Sequence, residues 1–134
     1  MPTCLVAGPQ VLIARHCSLT TESIFGIVQL CRIHPEKQML VELDLGFNRI
    51  GLAGIRNIAK MLAANKTLLS VNLAGNRIDG AGAEVLAQSL CKNATLERLN
   101  LFMNDLDIAG VSKCADSHVI ETPIATTQLL KVFR

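Results

Sequence analysis

Histidines, cysteines and repeated arginines are the side chains here that could do chemistry, and their spacings decide whether they do. His16, His34 and His118 have no Ser/Asp or Cys partner at an interval used for nucleophilic or general acid–base work, and no Gly-rich phosphate loop occurs. Cys114 and His118 invite a metal reading, but no second pair of ligands lies nearby. The five cysteines, Cys4, Cys17, Cys31, Cys91 and Cys114, are odd in number and form no CxxC pair. They read as buried or half-buried thiols of a reducing compartment rather than a disulfide framework. Arg49 and Arg77 recur at one register and are the cations a regulator could offer to a nucleotide site, although an Arg beside an Asn carries little weight alone. No catalytic, cofactor-binding or metal-binding residue is assigned, and the chain reads as a non-enzyme that needs no cofactor.

The elements that position these residues follow from a repeat. LVELDLGFNRI begins at Leu40, LLSVNLAGNRI at Leu68 and LERLNLFMNDL at Leu96, a spacing of 28 residues each time. Leu40/Leu68/Leu96, Leu43/Val71/Leu99, Leu45/Leu73/Leu101, Asn48/Asn76/Asn104, Ile50/Ile78/Leu106 and Gly54/Gly82/Gly110 agree across three copies. Ile58/Leu86 and Leu62/Leu90 agree across two. A period of this length marks a solenoid whose units bury their apolar faces against one another.

Within one period, Leu43 and Leu45 alternate with Glu42, Asp44 and Gly46, which predicts a short half-buried strand. Asn48 follows, and three Asn at one register predict a ladder of side-chain amides that satisfies the backbone where it bends away from the strand. Ile55, Ile58, Ala59 and Leu62 fall at helical spacing, with Arg56 and Lys60 elsewhere on the wheel. Gly54 suits a close approach of helix and strand layers. Asn65 is expected as a left-handed helix cap, and Asn93 ends the next helix. The sequons Asn65-Lys66-Thr67 and Asn93-Ala94-Thr95 open a glycosylation reading, but both are better read as one turn of the repeat.

Strands about 4.8 Å apart against helices about 10 Å wide curve the stack, with the sheet on the concave side. The fold class expected is α/β: a right-handed solenoid with a short parallel sheet inside the curve and helices outside.

The patterns LxxLxLxxNxIxxxGxxxIxxxL and LxxVxLxxNxIxxxGxxxLxxxL resemble the leucine-rich repeat of the ribonuclease-inhibitor type. The run Ala64-Asn65-Lys66-Thr67-Leu68 is similar to repeats of NOD-like receptors and their repeat-only relatives. The resemblance covers residues 40–110 and implies a binding surface, since such arrays serve inhibitors, GTPase activators, filament caps and immune sensors alike.

The flanks depart from the pattern. In the third copy Cys114 and His118 replace the helix leucines and Pro123 follows. A buried His118 needs a hydrogen bond, so the helix is expected to fray or turn there, with Ile120 to Arg134 as a non-repeat tail. Upstream, a shift of 28 residues matches Leu12, Gly26 and Leu30 but fails at Arg15, Glu22 and His34. A helix is expected from Thr20 or Thr21 with Ile24, Ile27, Val28 and Cys31 on one side, ending before Pro35, with no good strand beneath it. The division is therefore 1–39, a degenerate N-terminal repeat or helical cap; 40–110, three repeats; and 111–134, a divergent tail. The apolar, irregular flanks make the chain read as a fragment or alternative product of a longer array.

Half of the 134 residues are apolar, none is Trp or Tyr, and the net charge is +2, so the core must be aliphatic and no basic cluster marks a nucleic-acid partner. The segment from Met1 to His16 lacks a basic start and is interrupted at Pro9-Gln10, making a poor signal peptide and too short a span for a membrane. Cytoplasmic residence is the expectation, with the nucleus as the alternative.

The outward positions of the concave face form ladders: Glu42–Ser70–Arg98, Asp44–Asn72–Asn100 and Gly46–Ala74–Phe102, with Phe47–Gly75–Met103 and Arg49–Arg77–Asp105 at the strand ends. Glu42, Asp44, Ser70, Asn72, Arg98, Asn100 and Phe102 are the candidate protein-binding residues, and Asn48, Asn76 and Asn104 the structural ladder. Phe102 is expected to be exposed, while Phe47 is equally compatible with exposure and with a place under the turns. The function expected is a non-catalytic protein-interaction module. The alternatives are a regulator of a GTPase or another enzyme, or a truncated product of a longer repeat protein with reduced function. Self-association through open solenoid ends is a further interaction to consider.

Overall fold

The structure is a computed structural model that describes residues 11–33 and 40–106. Three strand–turn–helix steps and a fourth strand follow in order: β1 (Val11–Ile13), α1 (Thr21–Ile33), β2 (Glu42–Asp44), α2 (Gly51–Ala64), β3 (Ser70–Asn72), α3 (Gly80–Leu90) and β4 (Arg98–Asn100). The strands form one parallel sheet in chain order, β1-β2-β3-β4. Each helix packs on its sequence neighbour, α1 on α2 and α2 on α3. The result is a right-handed α/β solenoid, sheet on the concave side and helices on the convex side.

One ribbed core runs through the stack. Leu43 and Leu45, Val71 and Leu73, and Leu99 and Leu101 point inward from successive strands and are buried. Ile55, Ile58 and Leu62 of α2 and Leu86 and Leu90 of α3 close it from the helix side, as their spacing predicts, while Arg56 and Lys60 stay exposed. Leu68 and Leu96 are buried where the chain returns from helix to strand. Gly54 marks the tight approach: a β-carbon there would run into the Ile50 side chain and lie close to Ile24 of α1.

The asparagine ladder forms as expected. Asn76 Oδ1 accepts from the backbone N–H of Asn48 at 3.0 Å and of Ile50 at 3.4 Å, and Asn76 Nδ2 donates to Leu45 O at 2.9 Å and Ala74 O at 3.2 Å. Asn104 does the same one unit on, accepting from Asn76 N and Ile78 N and donating to Leu73 O. Each amide thus ties its own turn to the preceding one, leaving the buried bend with satisfied polar groups.

Two expectations are corrected. A strand does lie at the start of the first unit: β1 pairs with β2 in the register Leu12↔Leu43, an offset of 31 residues rather than 28. Cys17 therefore holds the ladder position. Its N–H donates to Asn48 Oδ1 at 2.9 Å, and its thiol bonds Arg15 O at 3.2 Å. Leu19 takes the next inward place and packs on the core. Shifting by 28 put Arg15 in the core; in the structure it is an exposed residue just past β1.

The second correction is at Asn65, whose backbone is extended (φ −73°, ψ 140°) rather than left-handed. Its Oδ1 accepts from Thr67 N and Leu68 N, so the side chain builds the turn that a left-handed cap would otherwise make. Thr20 caps α1, its hydroxyl oxygen accepting from Ser23 N at 3.2 Å. The expectations for Gly110, Cys114, His118, Pro123 and the tail lie outside the described residues.

Candidate protein-binding surface

The left-handed backbone either side of the ladder positions shapes the rim of the concave face. His16 and Ser18 flank Cys17, Phe47 and Arg49 flank Asn48, and Gly75 and Arg77 flank Asn76, all with φ between +49° and +65°. Met103, before Asn104, follows the same rule at +55°. Only Gly75 adopts this region without a side-chain cost. Gly75 is also where the Phe47 ring lies: a β-carbon on Gly75 would overlap that ring. The other side of Phe47 stacks on His16, with ring centroids 4.8 Å apart and planes within 6°. Phe47 is thus half-buried, in a stack running along the rim rather than under the turn.

The strand residues follow the predicted ladders. Glu42 pairs with Ser70 and Ser70 with Arg98; Asp44 pairs with Asn72 and Asn72 with Asn100. Their exposure differs along the array. Asp44 is only 9% exposed, Asn72 is half-buried, and Asn100 is exposed. Gly46 and Ala74 are buried, whereas Phe102 at the same register is 71% exposed and Met103 beside it 65%. Among the described residues β4 has a strand on one side only, which leaves its outward side chains uncovered.

Asp44, Asn72 and Asn100 do a structural task that their spacing did not disclose. Each accepts the backbone N–H two residues on: Gly46 N at 3.0 Å, Ala74 N at 3.0 Å and Phe102 N at 2.9 Å. They hold the chain as it leaves each strand, in the manner of an Asx turn. Asp44 has a second bond, its Oδ2 accepting from Arg15 Nε at 2.7 Å, which joins the first unit to the second.

Val11, Ile13 and Arg15 extend the concave ladders on the N-terminal side and were missed by a fixed period of 28. Ile13 is 50% exposed opposite Asp44, and Val11 lies exposed opposite Glu42. The signal was present as Leu12-x-Ala14-x-x-Cys17-x-Leu19, the same phrase with Cys in place of Asn.

The sequons are structural turns. Asn93 is buried, and its Nδ2 donates to Leu62 O at 2.7 Å and Asn65 O at 3.1 Å while its Oδ1 accepts from Thr95 N and Leu96 N. The nitrogen a glycan would need is already committed. Cys17 and Cys91 are half-buried cysteines. Burial pushes the Cys91 thiol up, against a backbone hydrogen bond and Lys92, which favours the protonated form at neutral pH. Among the described residues no helix is long and apolar enough to cross a membrane.

A parallel sheet of four short strands, the first three each leading through an amide-bonded turn to a helix on the outer side, defines a leucine-rich solenoid. The sequence model described as "Leucine Rich repeat" matches residues 36–59, 64–87 and 92–113, just over half of the chain. The chain belongs to the leucine-rich-repeat family. A solved structure of actin-binding site 2 of leiomodin-1 is similar in fold, with a TM-score of 0.70 and 21% sequence identity over 92% of this chain and 79% of that one. No curated protein sequence matches significantly.

Proposed function

We propose that this protein is a non-catalytic interaction module that holds a partner protein on the concave face of its repeat array. The observation that carries this reading is the exposed pair Phe102 and Met103, seated at the end of the sheet beside Arg98 and Asn100. Large apolar side chains ringed by polar ones are the anchors of protein interfaces, and here they stand on backbone pinned by Asn100 and Asn104. A preordered anchor loses less entropy on binding than a mobile loop would.

Of the candidates, Arg98, Asn100 and Phe102 are the exposed ones, Asn100 while its Oδ1 holds Phe102 N. Glu42, Ser70 and Asn72 line the half-buried middle of the face, and Asp44 supports it from beneath through Gly46 and Arg15. Actin is the first partner to test, because the leiomodin-1 segment of similar fold is an actin-binding site. Purified chain is titrated against monomeric and filamentous actin, with Phe102→Ala and Arg98→Ala as variants. Binding that falls about tenfold or more with Phe102→Ala, at unchanged melting temperature, supports the concave-face reading. Binding that is indifferent to both variants removes that face as the site, and no binding at all removes actin as the partner.

A further inference from the structure

On the opposite side of the molecule, α2 and α3 leave a groove of about 320 Å³ between them. Between its walls it is lined by the small or apolar side chains of Ala59 and Ala63 of α2 and Val85 of α3, with Gln88 and with Ser89, whose hydroxyl donates to Leu86 O. Arg56 and Lys60 stand along one wall, one helical turn apart, and Lys92 stands on the other just past the end of α3. All three are exposed, and among the described residues no carboxylate lines the groove. Among the described residues the ion pair present is Arg15–Asp44 on the far face, and Arg56, Lys60 and Lys92 form none; Glu84, one repeat on from Arg56, is not among the residues lining the groove.

From this combination we infer that the convex groove is a second docking site, for an acidic peptide segment of a partner protein. The charge decides the sign of the occupant, since both walls are basic and their cations form no ion pair among the described residues. The lining between them decides its kind. Exposed cations attract a lone small anion only weakly in water, and such an anion would leave Ala59, Ala63 and Val85 wet. A peptide with Asp or Glu on either side of an apolar residue satisfies both features at once. The walls run from Arg56 to Ala63, about 10 Å at 1.5 Å per residue, which accommodates two turns of a helix or three extended residues. This site is on the opposite surface from Phe102 and does not depend on what the concave face binds.

The test is a selection of random dodecapeptides displayed on phage against the full chain, followed by titration of the strongest synthetic peptide. The expected result is enrichment of sequences with acidic residues flanking an apolar one. Affinity then falls about tenfold or more for Lys60→Glu and, separately, for Lys92→Glu, and falls on the unaltered chain as salt rises and the screening length shortens. Phe102→Ala leaves it unchanged. Both lysines are exposed, so thermal melts are expected to match the parent. Peptides with no acidic bias, an affinity insensitive to both charge reversals, or a loss caused by Phe102→Ala would each overturn the inference. So would full competition by inositol hexakisphosphate or single-stranded DNA, which would reveal a general anion surface.

Discussion

Asn76 shows how much of this fold rests on single amides. Its two side-chain atoms hold four backbone groups, on Asn48, Ile50, Leu45 and Ala74, in a site closed to solvent. Replacing it with Ala strands buried donors and acceptors, and Asn76→Ala is expected to lower unfolding free energy by about 3 kcal/mol or more in urea melts. Asp44 is a milder case. Asn72 and Asn100 already make the same i+2 bond as amides, so Asp44→Asn keeps the Gly46 contact and loses only the half-exposed Arg15 pair. The expected cost is about 1 kcal/mol or less, and this substitution probes the charge of the face without dismantling its turn. The Asn register was legible in the sequence because a single residue type recurs. The strand-end bonds were not, because Asp and Asn at outward positions look like any solvated strand surface.

At the level of elements, each helix begins and is seated differently despite the common period. Thr20 caps α1 and Asp79 caps α3, whose carboxylate accepts from Gly82 N at 2.9 Å, but no side chain caps α2. Asp79→Ala is expected to cost about 1 kcal/mol, measured by thermal or urea unfolding. Gly75 faces two constraints, a φ of +65° and the Phe47 ring pressed on it, so Gly75→Ala is expected to cost about 2 kcal/mol or more. A Phe47→Ala background should return part of that loss, because it removes the overlap but not the backbone strain. The helix faces were readable from their 3.6-residue spacing. The first strand was not, because its unit is 31 residues long and carries Cys17 where its neighbours carry Asn.

For the whole molecule, stability is expected to behave as a sum over stacked units and the interfaces between them. Deleting residues 49–76, one period of 28, rejoins Asn48 to Arg77 and keeps every ladder in phase. The shortened chain is expected to melt cooperatively at a lower temperature, as followed by far-UV circular dichroism. A deletion one residue shorter turns the strand faces over and is expected not to fold. Type and spacing alone determined the repeat, the inward leucines, the asparagine register and the helix faces, because each is a periodic pattern that one short stretch of chain imposes on itself. Only the assembled stack decided which outward residues are free. Asp44 lies covered beside Arg15, Phe47 is held between His16 and Gly75, and Phe102 stands clear, although all three occupy outward or rim positions in the pattern. Exposure depends on what the adjoining unit places alongside, and that neighbour is remote along the chain.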